Sequence, residues 1–131
     1  MNLREKLLAL KTRKTQLISV ERLGDCVIQS PDETKRAEIE TSLKGETVKR
    51  LIVVHCLVEG VSLTNPETGF PRELNEVWLA DPALPALMKK DIDRLGGIDS
   101  STIDDIATAA LKLMRMSQED QTDLVGEPAK R

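Results

Sequence analysis

Along residues 2–12, Leu3, Leu7, Leu8 and Leu10 fall on or near one helical face and Arg4, Lys6 and Lys11 fall elsewhere, which predicts a short amphipathic helix. The pattern then changes. Residues 15–20 and 25–29 are β-branched and partly alternating, and Glu21-Arg22-Leu23-Gly24 separates them, with Gly24 able to supply the positive φ of a tight turn. A small hairpin over 15–29 is expected. Ser30-Pro31-Asp32-Glu33 combines a capping serine, a first-turn proline and a glutamate that closes a capping box, so a helix is predicted over 31–43, ended by Gly45. A second helix is predicted from Glu46 to Gly60. Its apolar residues Val48, Leu51, Ile52, Val54, Cys56, Leu57 and Val58 cover more than half its surface, making it the expected central core helix.

Residues 61–73 contain Asn65-Pro66-Glu67-Thr68-Gly69, a turn-forming string that predicts an exposed loop or vestigial hairpin. Beyond it Leu74, Val77, Trp78 and Leu79 fit one helical face. Asp81-Pro82 then supplies a cap and first-turn proline for a helix through Leu84, Leu87, Met88, Ile92 and Leu95 to Gly96-Gly97. Ser101-Thr102-Ile103-Asp104 resembles a capping box, and the stripe Ile103, Ile106, Ala107, Ala110, Leu111, Leu113 and Met114 predicts a final helix. From Ser117 the chain is polar and aperiodic apart from Leu124 and Val125, which predicts a flexible tail over 117–131. The expected fold is therefore mainly α: one domain over residues 1–116, with five to six helices and a small N-terminal hairpin, α+β being the minor alternative.

Composition narrows the function classes. The 131 residues suit a single core. A net charge of -3 sets the whole-chain field against nucleic acid and anionic membrane, and one Trp, one Phe and no Tyr leave no aromatic platform for bases or sugars. The longest apolar run, residues 51–58, is interrupted by His55 and is too short to span a bilayer; no secretory signal pattern opens the chain, and a cytoplasmic protein is expected. Cys26 and Cys56 lack CxxC spacing and read as reduced thiols.

Candidate chemistry is sparse. His55 is the sole histidine, and on a helix it points about 100° away from Cys56, so the two do not pair as base and nucleophile. The stretch Asp91 to Thr102 imitates a calcium loop at its first, third, sixth and ninth positions, but Leu95 and Thr102 stand at the fifth and twelfth, where ligands are required. Lys44-Gly45-Glu46-Thr47 does not form a phosphate loop. No catalytic residue, metal site or cofactor is expected. For a binding protein the candidate contact residues are Trp78 and Leu74, with Met114 and Met116 as an adaptable pair near the tail. Arg4, Lys6, Lys11, Arg13 and Lys14, against Glu5 alone, make the N-terminal stretch basic enough to dock an acidic partner or to touch nucleic acid.

The order of these features resembles the tail assembly chaperones of long-tailed bacteriophages. The strings that carry the likeness are Leu17-Ile18-Ser19-Val20 and Leu23-Gly24-Asp25-Cys26-Val27 as a short strand pair, then the capped charged segment from Ser30 to Glu40. Leu57-Val58-Glu59-Gly60 and the turn from Thr64 to Phe70-Pro71 follow, with two closing helices over 87–95 and from Ser101. The leading segment from Leu3 to Leu10 and the Asn65-Pro66 turn depart from the family's layout. The resemblance implies a non-catalytic protein that binds the tape measure protein and recruits tail tube subunits while the tube polymerises. It further implies action in the cytoplasm of the bacterial host, absence from the finished virion, and a frameshifted long form sharing the N-terminal part. Weak homo-oligomers are expected, because coating a long helical client favours lateral contacts. The competing reading is a small helical nucleic-acid-binding regulator or antitoxin-like adaptor, although no recognition helix rich in Arg, Lys, Asn and Gln is present.

Overall fold

The computed structural model describes residues 2–42 and 46–114. Its elements in chain order are α1 (Leu3–Leu8), β1 (Arg13–Val20), β2 (Gly24–Gln29), α2 (Glu33–Thr41), α3 (Glu46–Cys56), β3 (Leu57–Glu59), β4 (Val77–Ala80), β5 (Leu84–Pro85), a 3-10 turn (Lys89–Asp91), α4 (Ile92–Leu95) and α5 (Ser100–Leu113). The five strands form one antiparallel sheet in the order β4-β1-β2-β3-β5. The expectation of a mainly α fold is overturned: the chain is α+β, and the hairpin is the centre of a five-stranded sheet rather than a small appendage.

The physical reason lies in three short segments. Leu57–Glu59 was expected to finish the core helix, yet β2 offers an open edge there, and Val58 pairs with Val27 before Gly60, at φ 77°, turns the chain. Val77–Ala80, expected to be helical, pairs with the other edge of the hairpin, Trp78 opposite Thr15. The expected helix from Asp81 does not start either. Pro85 instead lies in the edge strand β5 opposite Val58, a position where its missing N–H is tolerated, and helical turns resume only at Lys89. The helix after the hairpin is capped by Asp32, which accepts a hydrogen bond from the Lys35 N–H at 2.8 Å, and not by Ser30. Asp99 likewise caps α5, ahead of the expected Ser101. The tail expected over 117–131 lies outside the described residues, as does Met116.

Alternation along the central strands sorts side chains onto two faces. One face presents Val20 and Ile28, with Ile18, Cys26 and Leu57, to the helices. Ile39 of α2, Val48, Ile52 and Val53 of α3, Leu95 of α4 and Ile106, Ala110 and Leu113 of α5 complete that core. Each such aliphatic contributes about 1.5–3 kcal/mol by leaving water. Cys56 belongs to it, and burial pushes its thiol up to about 12, so it is held as an unreactive thiol. The opposite face carries a smaller cluster of Leu17, Val27, Val58 and Trp78, edged by Val61, Ala80 and Ala83.

Only residues 81–83 separate β4 from β5, the two outermost strands. From residue 80 to residue 84 a chain spans at most about 14 Å, whereas a flat sheet would set strands four places apart about 19 Å from each other. The sheet therefore curls around the Trp78 cluster and brings its edges together.

His55, in the last turn of α3, sits between helices, its side chain about 10% exposed, with Nε2 3.3 Å from Glu38 Oε2 but not aligned as a hydrogen bond. Lys89 also pairs with Glu38, and Lys35 lies close enough to act on the ring. Burial holds the imidazole pKa below its usual value, against the attraction of Glu38, and both lysines add to the lowering. Because the folded value is the lower one, protonation favours the unfolded chain: the contribution is intact above the ordinary histidine value of about 6.5 and is lost as pH falls below it. Urea unfolding between pH 7 and pH 5 is expected to show stability falling in wild type, with a flatter profile in His55→Gln. An equal slope in both would exclude His55 as the source.

Candidate functional site

The edge strand β4 lies beside α5, and between them runs an open groove of about 490 Å³ lined by Gln16, Ile18, Val77, Asp105, Thr108, Ala109, Lys112 and Leu113. Its construction follows from register. Gln16 pairs with Val77 and Lys14 with Leu79, so these side chains share the helix-facing side of the sheet. The helices cover that side fully over Val20 and Ile28 but incompletely at β4, where Val77 remains 50% and Leu79 66% exposed. Leu74, just before the strand, is 47% exposed, and its carbonyl accepts a long hydrogen bond from Gln16 Nε2 at 3.4 Å. Ala109 and Leu113, one helical turn apart on α5, supply the apolar wall, with Asp105 and Lys112 as polar ends. Among the described residues no strand pairs with the outer side of β4, and no lysine or proline interrupts Val77–Ala80.

A second hollow, about 110 Å³, is lined by Lys49, Arg50, Leu95, Gly96, Ile98, Ser100, Ile103 and Asp104. Its volume lies well below the range of about 300–1,000 Å³ typical of organic ligand sites. Lys49 Nζ is already 3.0 Å from Asp104 Oδ1, and Asp99 already serves the first N–H groups of α5.

The four residues expected to contact a partner do not come together. Trp78 is 9% exposed and belongs to the cluster within the curled sheet, where the Arg72 guanidinium stacks on its ring at 4.0 Å from the centroid. Met114 is 3% exposed and belongs to the core on the other side of the sheet. Of the described three, Leu74 alone is open to solvent, and its backbone carbonyl bonds Gln16, which lines the groove. Sequence reasoning missed Val77 and Leu79 as the exposed pair. Their alternation with Trp78 is the signal that finds them, once the segment is read with a period of two. Ile18 and Ala109 carry no comparable signal, because only the packing of α5 against β1 joins them.

Among the described residues no helix is long and apolar enough to cross a membrane, and no three His, Cys, Asp or Glu side chains are grouped to hold a metal ion. No family model, curated protein or solved structure matches this chain.

Proposed function

We propose that this protein is a tail assembly chaperone of a long-tailed bacteriophage, which holds the tape measure protein through the β4–α5 groove and recruits tail tube subunits to it. The observation that carries the reading is the groove itself: an apolar floor of Ile18, Val77, Ala109 and Leu113, with Leu79 two residues along β4 from Val77 and 66% exposed. A stripe of aliphatics of this length suits the apolar face of a client helix, recognised through anchors spaced three and four residues apart. No aromatic side chain is among the described residues that line the groove, which favours modest affinity per copy, as a chaperone that must release its client requires, with avidity from several copies along one tape. It would act in the bacterial cytoplasm and leave before the tail is complete, and a frameshifted long form would share the same groove.

The test is co-purification of the tagged chain with the tape measure and tube proteins encoded near it. Tape should be retained and kept soluble by wild type, and Leu79→Asp combined with Val77→Asp should cut retention at least about tenfold, equivalent to about 1.4 kcal/mol. Retention of DNA that disappears with salt, and of neither protein, would assign the chain instead to the nucleic-acid-binding regulators that its basic N-terminal stretch permits.

A further inference from the structure

The carboxylate of Glu38, on α2, stands between basic side chains from two other elements. Its Oε1 pairs with Lys89 Nζ in the 3-10 turn, and its Oε2 lies 3.3 Å from His55 Nε2 in the last turn of α3. Lys35, one helical turn before Glu38, is a second cation acting on the ring. The charged groups that face His55 are thus Glu38 and Lys35 from α2 and Lys89 from the turn. The ring is about 10% exposed and its Nε2 has no hydrogen-bond partner, whereas Lys89 is 67% exposed. We propose that these side chains form a proton-operated latch: protonation of His55 turns the Glu38 carboxylate from Lys89 to the ring and releases the 3-10 turn from α2. The latch belongs to the free chain and does not depend on the chaperone reading.

Three observations carry it. The first is hydrogen bonding. A protonated imidazole donates from both nitrogens, so the buried Nε2 then requires an acceptor. Glu38 Oε2 is the carboxylate oxygen beside it, not aligned to accept until the carboxylate turns, and turning draws Oε1 away from Lys89. The second is charge. A neutral ring leaves two lysines against one carboxylate; a protonated ring makes three cations against one. His55 is packed between helices and Lys35 is half-buried, so the exposed Lys89 is the cation free to leave. The third is that Glu38 keeps its charge throughout, because its bond to Lys89 holds its carboxyl below the usual carboxylate range. The histidine is therefore the group that switches, closed above its ordinary value of about 6.5 and opening as pH falls below it. Leu87, packed against the core, and the Ala86 N–H, bonded to the Leu57 carbonyl at 2.9 Å, keep the segment attached to β3 when the turn loosens. Opening is thus local to the turn, where the Asp91 N–H is bonded to the Met88 carbonyl at 2.9 Å.

The test uses the full chain. His55 is its one histidine, so the ring signal in an NMR titration is unambiguous. Lys89→Met, at an exposed position, is expected to raise the proton affinity of the ring at least about threefold, and by reciprocity protonation weakens the hold on Lys89 by the same factor. Lys89→Arg, which keeps the cation, should titrate as wild type does. Hydrogen exchange then reads the turn itself. In wild type the protection of the Asp91 amide, relative to the amides of α3, should fall at least about twofold from about one pH unit above the midpoint of the ring to about one unit below. It should stay constant in His55→Gln and in Lys89→Met, which lack the latch at either pH. A ring whose proton affinity Lys89→Met leaves unchanged or lowers, a Lys89→Arg ring that titrates like that of Lys89→Met, or an Asp91 amide whose relative protection is constant in wild type or falls equally in His55→Gln would each overturn the latch.

Discussion

Trp78→Ala is expected to lower the free energy of unfolding by about 3–5 kcal/mol, the range for truncating a large buried aromatic. Trp78 shares its cluster with Leu17, Val27 and Val58, so its loss opens a cavity on the inner side of the curled sheet. A second penalty falls on Arg72. Its side chain is 7% exposed, its Nε has no hydrogen-bond partner, and its remaining support is the Trp78 ring and Glu76 Oε1 at 3.7 Å from Nη1. Removing the ring leaves a buried cation facing a void. Urea unfolding followed by circular dichroism measures the effect. Trp78→Phe, which keeps a ring beneath the guanidinium, should recover more than half of the loss. Client retention supplies the contrast: at temperatures where the variant remains folded, Trp78→Ala should bind nearly as wild type does, whereas the Val77 and Leu79 pair should lose binding without losing stability. The reverse pattern would move the docking surface to the Trp78 side of the sheet.

What was legible in the sequence follows from how far each element determines itself. The hairpin over 15–29 was readable because its turn requires an unusual backbone at Gly24, which lies at φ 86°, and because two adjacent strands pair with little help from elsewhere. The last helix was readable because the stripe from Ile103 to Leu113 runs through about three turns of one face. Leu57–Glu59, Val77–Ala80 and Leu84–Pro85 were not readable. Two to four residues are too few to establish either a period of two or one of 3.6, so the state is decided by hydrogen bonds that β1, β2 and β3 offer from distant parts of the chain. The error in the site has the same origin. On a helix Leu74, Val77, Trp78 and Leu79 crowd one face; on a strand Trp78 turns inward and its two neighbours turn outward, which exchanges the anchor for the exposed residues.

Gln29 shows the same dependence on distant partners in energetic form, and no sequence signal marks it. Its side chain is 2% exposed at the end of β2, and all of its polar atoms are engaged: Nε2 donates to the Asp81 carbonyl at 2.9 Å and to Thr15 Oγ1 at 3.2 Å, while Oε1 accepts from the Ala83 N–H at 3.0 Å. Residues 81–83 cross from one sheet edge to the other, so this one amide stands in for the strand neighbour that the crossing segment lacks. Gln29→Met fills nearly the same volume but leaves the Asp81 carbonyl and the Ala83 N–H without that partner. At about 1–3 kcal/mol for each unsatisfied buried group, partly relieved by water reaching this half-buried segment, the expected loss is about 2–4 kcal/mol. Gln29→Glu should be no milder, since it keeps an acceptor for Ala83 while turning a carboxylate oxygen toward the Asp81 carbonyl. Hydrogen exchange localises the effect. The Ala83 amide should exchange faster in Gln29→Met by a larger factor than the amides of α3, whose exchange tracks global unfolding. A uniform acceleration across α3 and residue 83 would mean that Gln29 holds the whole fold rather than the crossing, and that the curled sheet and the helical layer open together.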